Sequence, residues 1–429
     1  MLVQFTVKNY KVFKDEAKIS FVASHYTEKE NDSIVQFPQF NLRLLKSAVI
    51  YGANASGKSK LFEAMAFMRD FIISSSKDKQ INEPIATEQF RLSTETENEP
   101  SFFELIFIYK KVMYRYGFEA TKERIVTEWL YQRPKTKEVE LFYREGQDFG
   151  KVHSKFPVQD LVDKKRIRIN ALLLSVAATW NDSLAEIILD WVDNSFNVIS
   201  GLDENTYMAY SISQLKDVKA KKGVLKLIKS ADLGIEDMNP QLLKLEDLPN
   251  HLPSELKETI TKQLKEGDRE IYSDVFTTHK KYDDSLSVSE GVKFTIDDEE
   301  SSGTRKYFAL TGPILNTLKK GEVLVIDELD AKLHPMLTRK IIELFNCKEN
   351  NPNNAQLVFN THDTNLLDTE LFRRDQIWFT EKDRYGAASL YALSDLKGVR
   401  KDDPFEKNYI AGKYGAIPFL GDFDNLFND

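Results

Sequence analysis

The sequence predicts an α/β protein: a mixed sheet with flanking helices, interrupted by a mainly helical insertion. Three observations carry that expectation. Residues 52–59 read Gly-Ala-Asn-Ala-Ser-Gly-Lys-Ser, between an apolar run (Ala48-Val49-Ile50-Tyr51) and a helix-like stretch, Leu61–Met68. Far downstream, Glu322-Val323-Leu324-Val325-Ile326-Asp327-Glu328 is another apolar run, closed by two carboxylates. Between the two, apolar residues recur three or four apart, the spacing of a helix face. The expected boundaries are 1–150 for an N-terminal lobe, 151–286 for the insertion and 287–429 for a C-terminal lobe.

The N-terminal lobe reads as strand-rich. Leu2–Val7, Ala17–Val22, Ser47–Ile50, Phe102–Tyr109 and Val112–Glu119 alternate or run apolar, with β-branched and aromatic residues. Lys110-Lys111 joins the last two as a hairpin turn. From Val158 to Glu266 the pattern turns helical: Leu161, Ile167, Ile169, Leu172, Leu173 and Val176, then Leu184, Ile187, Ile188, Trp191 and Val192. Polar breaks at Ser200–Asn205, Asn239-Pro240 and Pro249–Pro253 separate these helices. Strand signals return at Ser287–Ile296 and Val323–Ile326.

Composition narrows the class. A hydrophobic fraction of 41% and a charged fraction of 29% are those of a soluble globular protein. No apolar stretch approaches the ~20 residues of a membrane span, so no membrane partner is expected. The single cysteine, Cys347, excludes internal disulfides and suits a reducing cytoplasm. A net charge of −8 argues against wholesale coating of nucleic acid, though not against a local basic groove. Lys216, Lys219, Lys221, Lys222, Lys226 and Lys229, with Lys164, Lys165, Arg166 and Arg168 upstream, could follow a phosphate backbone or simply face solvent.

The 52–59 segment is a complete phosphate-binding loop in the strand–loop–helix context that its chemistry needs. Gly52 and Gly57 let the backbone close around oxygens, and the N–H groups through Asn54, Ser56 and Gly57 form an anion nest at a helix N-terminus. Lys58 can reach the β- and γ-phosphates of a nucleoside triphosphate, and the Ser59 hydroxyl can ligate Mg²⁺. Asp327 would complete the Mg²⁺ shell, and Glu328 would polarise the attacking water. Ser302 and Gly303 open a second helix with small residues, which makes another anion nest. Gln356-Leu357-Val358-Phe359-Asn360-Thr361-His362 is a further apolar strand, whose terminal imidazole can hold the water or donate to the γ-phosphate. His334 either joins this series or only caps the turn before Pro335. Gln89 is the candidate for sensing the metal.

The order of phosphate loop, helical insertion, Ser-Ser-Gly-Thr, Asp-Glu strand, Leu-His-Pro and Thr-His resembles the ABC/SMC-like ATPases of the OLD and AAA15 group. The ending Tyr414-Gly415-Ala416-Ile417-Pro418-Phe419-Leu420-Gly421-Asp422 is similar to that of the AbiL/RloA abortive-infection ATPases. The resemblance implies ATP and Mg²⁺ as ligands and a homodimer, or a higher even oligomer, closing around ATP. In that assembly Ser302 and Gly303 face the triphosphate held by the partner. It also implies a role in bacterial phage defence beside a separate nuclease-like effector. OLD-type nucleases continue into a metal-binding domain, whereas only Asp363–Asp429 follows His362 here. Asp422, Asp424 and Asp429 are then a solvated tail or a docking strip. An SMC-like DNA-repair or DNA-handling ATPase, with a DNA contact across the dimer, is the alternative. A transporter motor subunit and a non-hydrolysing scaffold fit less well.

Overall fold

The protein is seen in a computed structural model that describes residues 1–77, 83–242 and 272–418. The chain forms two compact units, Met1–Gly201 with Thr317–Asp330 and Thr338–Asp429, and Leu202–Asn316 with Ala331–Leu337. In chain order the strands are β1 (Leu2–Lys8), β2 (Ala17–Ser20), β3 (Ile34–Phe37), β4 (Leu42–Leu45), β5 (Ser47–Gly52), β6 (Ser101–Tyr109) and β7 (Val112–Ala120). They continue with β8 (Ile125–Arg133), β9 (Val139–Glu145), β10 (Phe196–Ser200), β11 (Ile235–Leu242), β12 (Tyr272–Tyr282) and β13 (Val288–Thr295). The last are β14 (Val323–Asp327), β15 (Gln356–Asn360), β16 (Ile377–Lys382) and β17 (Ala388–Ala392).

The first unit is built on two six-stranded sheets and a small antiparallel pair, β3 with β4. One has the order β10-β14-β15-β5-β16-β17, parallel from β10 to β16 and closed by antiparallel β17. Its central strands are apolar without alternation, and every residue of β5 and β15 is buried. That is the signature of parallel strands covered on both faces. The other sheet is antiparallel, in the order β2-β1-β6-β7-β8-β9. Its β6–β7 hairpin turns through Lys110-Lys111 as expected, with both lysines at positive φ. The α/β class expected from the sequence is therefore the observed one.

The helix Lys58–Ser74 follows β5 directly and buries Leu61, Phe62, Ala64, Met65, Met68, Phe71 and Ile72. These side chains join one core with residues of both sheets. The helix Ser183–Asn194 belongs to the same core: Trp191 stacks on Phe107 of β6 at 3.9 Å and on Phe196 of β10 at 5.6 Å. A buried ion pair fastens the preceding helix, Leu173–Thr179. Arg144 and Glu128 are both fully buried and 3.1 Å apart. Glu128 also accepts the N–H groups of Leu173 and Leu174, while Arg144 donates to the carbonyls of Gly146 and Ala171. The carboxylate thus caps two otherwise orphaned donors at a helix start.

The packing departs from the expected boundary at 151. The helices Leu173–Thr179 and Ser183–Asn194 lie in the first unit, because their apolar faces are buried in its core. The second unit combines the helices Asn205–Gln214 and Val218–Ser230 with an antiparallel sheet, β11-β12-β13. Asn239-Pro240, read from sequence as a break, lies inside β11. That strand is an edge, where the missing proline N–H leaves no ladder bond unmade. In the helix Ser302–Lys320, Pro313 removes one backbone donor, and Ser211 Oγ donates instead to the Ala309 carbonyl at 2.5 Å. The end of the expected helical stretch at Glu266, the break at Pro249–Pro253 and the acids Asp422, Asp424 and Asp429 fall outside the described residues.

Candidate functional site

Three parallel strands deliver the site. β5 ends in the phosphate loop, β14 in Asp327 and Glu328, and β15 in Asn360, followed by Thr361 and His362. Neighbouring parallel strands end on the same side of a sheet, where α/β proteins place their ligands. A cavity of about 380 Å³ opens there, lined by Asn54, Ala55, Ser56, Gly57, Lys58, Ser59, Glu328 and His362, with Val12, Lys60 and Lys382 at its margins.

The loop is shaped by close backbone approach. A Cβ on Gly52 would come within 2.4 Å of the Thr380 carbonyl, and Gly57 sits at φ +119°. Ala55 is also left-handed, at φ +61°. Ser56 Oγ and Thr380 Oγ1 share a buried hydrogen bond of 2.6 Å, which ties the loop to β16. Lys58 is buried, and its Nζ donates to the carbonyls of Gly52 and Ala53 at 2.8 and 3.1 Å. Burial pulls this ammonium below the ordinary lysine value, against the opposing charges of Glu328, Asp327 and Asp330. Asn54 is exposed at the loop tip.

Opposite the loop, Asp327 and Glu328 form a tight turn. Asn360, fully buried, donates from Nδ2 to Asp327 Oδ1 at 2.5 Å and accepts the Glu328 N–H at Oδ1. His362 is open to solvent, and its backbone N–H donates to Asp330 Oδ2 at 3.4 Å. Partial desolvation and the Lys58 charge hold its imidazole below the usual histidine value, although Asp330, Glu328 and Asp327 pull the other way. A neutral imidazole can accept a proton at one ring nitrogen and donate from the other.

These oxygens suit a small hard cation. Ser59 supplies a hydroxyl and Glu328 a carboxylate to the cavity lining, and the charges of Glu328, Asp327 and Asp330 all act on Lys58. Among the described residues no group of three His, Cys, Asp or Glu side chains gathers as a metal cage. A cation that completes its shell with phosphate oxygens and water fits such a donor set, which is the habit of Mg²⁺.

The remaining sequence candidates lie elsewhere. Gln89 is buried on the segment before β6 and does not line the cavity. Lys11 anchors that segment to the helix after the loop: its Nζ donates to Glu63 at 2.6 Å and lies 3.3 Å from Glu88. Ser302 and Gly303 begin the helix Ser302–Lys320 in the second unit, where Ser301 Oγ accepts the Thr304 N–H at 3.1 Å. A Cβ on Gly303 would come within 2.9 Å of the Lys332 carbonyl. His334 is exposed, and its Nδ1 accepts the Met336 N–H at 3.2 Å. Within the lysine-rich helix, Lys221 pairs with Asp237 and Lys229 with Glu236. Sequence reasoning missed Asn360, Thr380 and Lys382. The available signal was a polar residue closing an otherwise apolar buried strand, as Asn360 closes β15.

The model of a family described as "AAA domain, putative AbiEii toxin, Type IV TA system" matches residues 47–368, from the start of β5 to beyond His362. Among solved structures, the SMC head domain from Thermotoga maritima is similar over 91% of this chain and 98% of its own, at 12% identity and a TM-score of 0.40. The Smc head domain with an extended coiled coil bound to the C-terminal domain of ScpA, from Pyrococcus furiosus, covers 91% and 96%, at 12% identity and a TM-score of 0.35. No curated protein matches the sequence.

Proposed function

This chain belongs to the AAA domain family of the AbiEii toxin description, and on that premise we propose that it is a Mg²⁺-dependent ATPase. The observation that carries the reading is one cavity lined by Lys58 and Ser59 from one strand end and by Glu328 and His362 from two others. The nest of N–H groups and Lys58 hold the triphosphate, while Ser59 and Asp327 would hold Mg²⁺. When bound, that cation neutralises charge that develops on the phosphate oxygens. Glu328 orients the attacking water and accepts its proton, and His362 steadies the water or the γ-phosphate.

Two copies close around two ATP molecules, with Ser302 and Gly303 of one completing the site of the other. ATP favours the closed dimer and hydrolysis releases it. The protein acts in the cytoplasm as the sensor or regulatory subunit of an anti-phage system, beside a separate nuclease-like effector. The type IV toxin–antitoxin wording of the family supports a defence role. No described helix is long and apolar enough to cross a membrane.

Phosphate release, followed as the protein is diluted, tests the reading. Turnover per chain should fall as dimers dissociate, and Gly303→Trp should abolish it. Turnover per chain that is independent of concentration, with full activity of Gly303→Trp, would refute the shared site. Absence of ATP turnover at every concentration would refute the ATPase itself.

A further inference from the structure

Asn360 touches three consecutive residues of the acidic turn. Its carboxamide donates to the Asp327 carboxylate and accepts the Glu328 N–H, and its backbone carbonyl accepts the Leu329 N–H at 3.3 Å. The parallel register creates this, because Ile326 pairs with Phe359 and the next residues on each strand are Asp327 and Asn360. The turn needs holding. Glu328 sits at φ +57°, a left-handed conformation that costs a non-glycine residue about 1–3 kcal/mol. On the other side, Gly201 donates its N–H to the Asp327 carbonyl at 2.5 Å. A Cβ on Gly201 would lie 2.0 Å from the Glu328 carbonyl.

We propose that Asn360 is the positioning residue of this turn: it aims the Asp327 carboxylate at the nucleotide-bound divalent cation and locks Glu328 where its carboxylate faces the cavity. The inference rests on the ATPase reading and adds a specific device to it. A carboxylate with one oxygen engaged by an amide keeps the other for the metal in a fixed direction. Partners of this kind, one step removed from the metal, typically set its affinity within a factor of about ten to a hundred. An ordinary buried asparagine that merely satisfies a strand end would stabilise the fold without tuning metal use.

The test is Asn360→Leu, which keeps the branching and the number of side-chain heavy atoms but has neither side-chain hydrogen bond, compared with wild type in two measurements. The variant should bind ATP in EDTA within about threefold of wild type, since the loop that holds the phosphates is untouched. Its half-saturating Mg²⁺ for hydrolysis should rise at least about tenfold, with a fall in kcat. Unchanged Mg²⁺ dependence, even with a lowered kcat, overturns the proposal, because a purely structural defect lowers activity without shifting metal demand. A wild-type chain that releases no phosphate contradicts the ATPase reading instead. Mn²⁺ binding to the protein–ATP mixture, followed by electron paramagnetic resonance, then decides the present point: equal binding by wild type and variant overturns it. If Asn360→Leu does not melt cooperatively, the smaller Asn360→Ala is read in the same way.

Discussion

The two walls of the cavity both follow buried apolar strands, yet they are made of different material. The β5 wall is backbone: Gly52, Ala55 and Gly57 all sit at positive φ, and a Cβ on Gly52 would meet the Thr380 carbonyl. The β14 wall offers side chains, and those side chains are held by others, Asn360 above all. A wall of main-chain donors depends on glycine and on the shape of one short loop. A wall of carboxylates depends on the register between separate strands. The first should therefore govern whether nucleotide binds, the second whether it is hydrolysed.

Substitutions that blur or sharpen this division follow in order of expected effect. His362→Ala should lower kcat by about a hundredfold or more, the usual contribution of a positioned acid–base group, while ATP affinity changes little. A steady-state separation of kcat from KM checks this. The pH profile adds a sign. Burial and the Lys58 charge hold the His362 imidazole of the free protein below its ordinary 6.5, so kcat/KM should fall with acid only at a midpoint below 6.5. The same depression means that the unfolded chain takes up this proton first. The contribution of His362 to stability is thus present above pH 6.5 and lost as the pH falls through its folded value. A kcat/KM midpoint above 6.5 would contradict the lowered value.

Lys58→Ala removes a charged donor worth about 1.5–3 kcal/mol, and titration with a fluorescent ATP analogue should show binding weakened roughly ten- to a hundredfold. Thr380→Val is milder: it leaves Ser56 Oγ without its buried partner, for about 1 kcal/mol or a fivefold loss of affinity. Asn54→Ala should fall within about 0.5 kcal/mol, because the exposed side chain is not what the loop uses. A large effect at Asn54 and none at Thr380 would reverse the picture of a backbone-built wall.

The contrast also explains what could be read in the sequence. The phosphate loop was legible because its glycines must stand at fixed spacing beside a lysine. β14 and β15 were legible because fully buried strands cannot hide their apolar runs. Asn360 was visible as a letter but not as a clamp, since its partners lie on a strand 33 residues away and only the pairing register joins them. The domain boundary failed for a similar reason. Trp191 reads as one apolar position on a helix, and nothing local says that it stacks on Phe107. Pro240 misled because proline breaks a central strand but is tolerated at the edge that β11 occupies. Gln89 was read from its place between the phosphate loop and the insertion, and it is not among the residues lining the cavity.

The division of labour between the walls is tested most directly by measuring ATP binding and phosphate release side by side in Glu328→Gln. The account predicts ATP affinity close to wild type, with turnover reduced at least about a hundredfold. Wild-type turnover in that variant, or lost binding with it, would contradict the account.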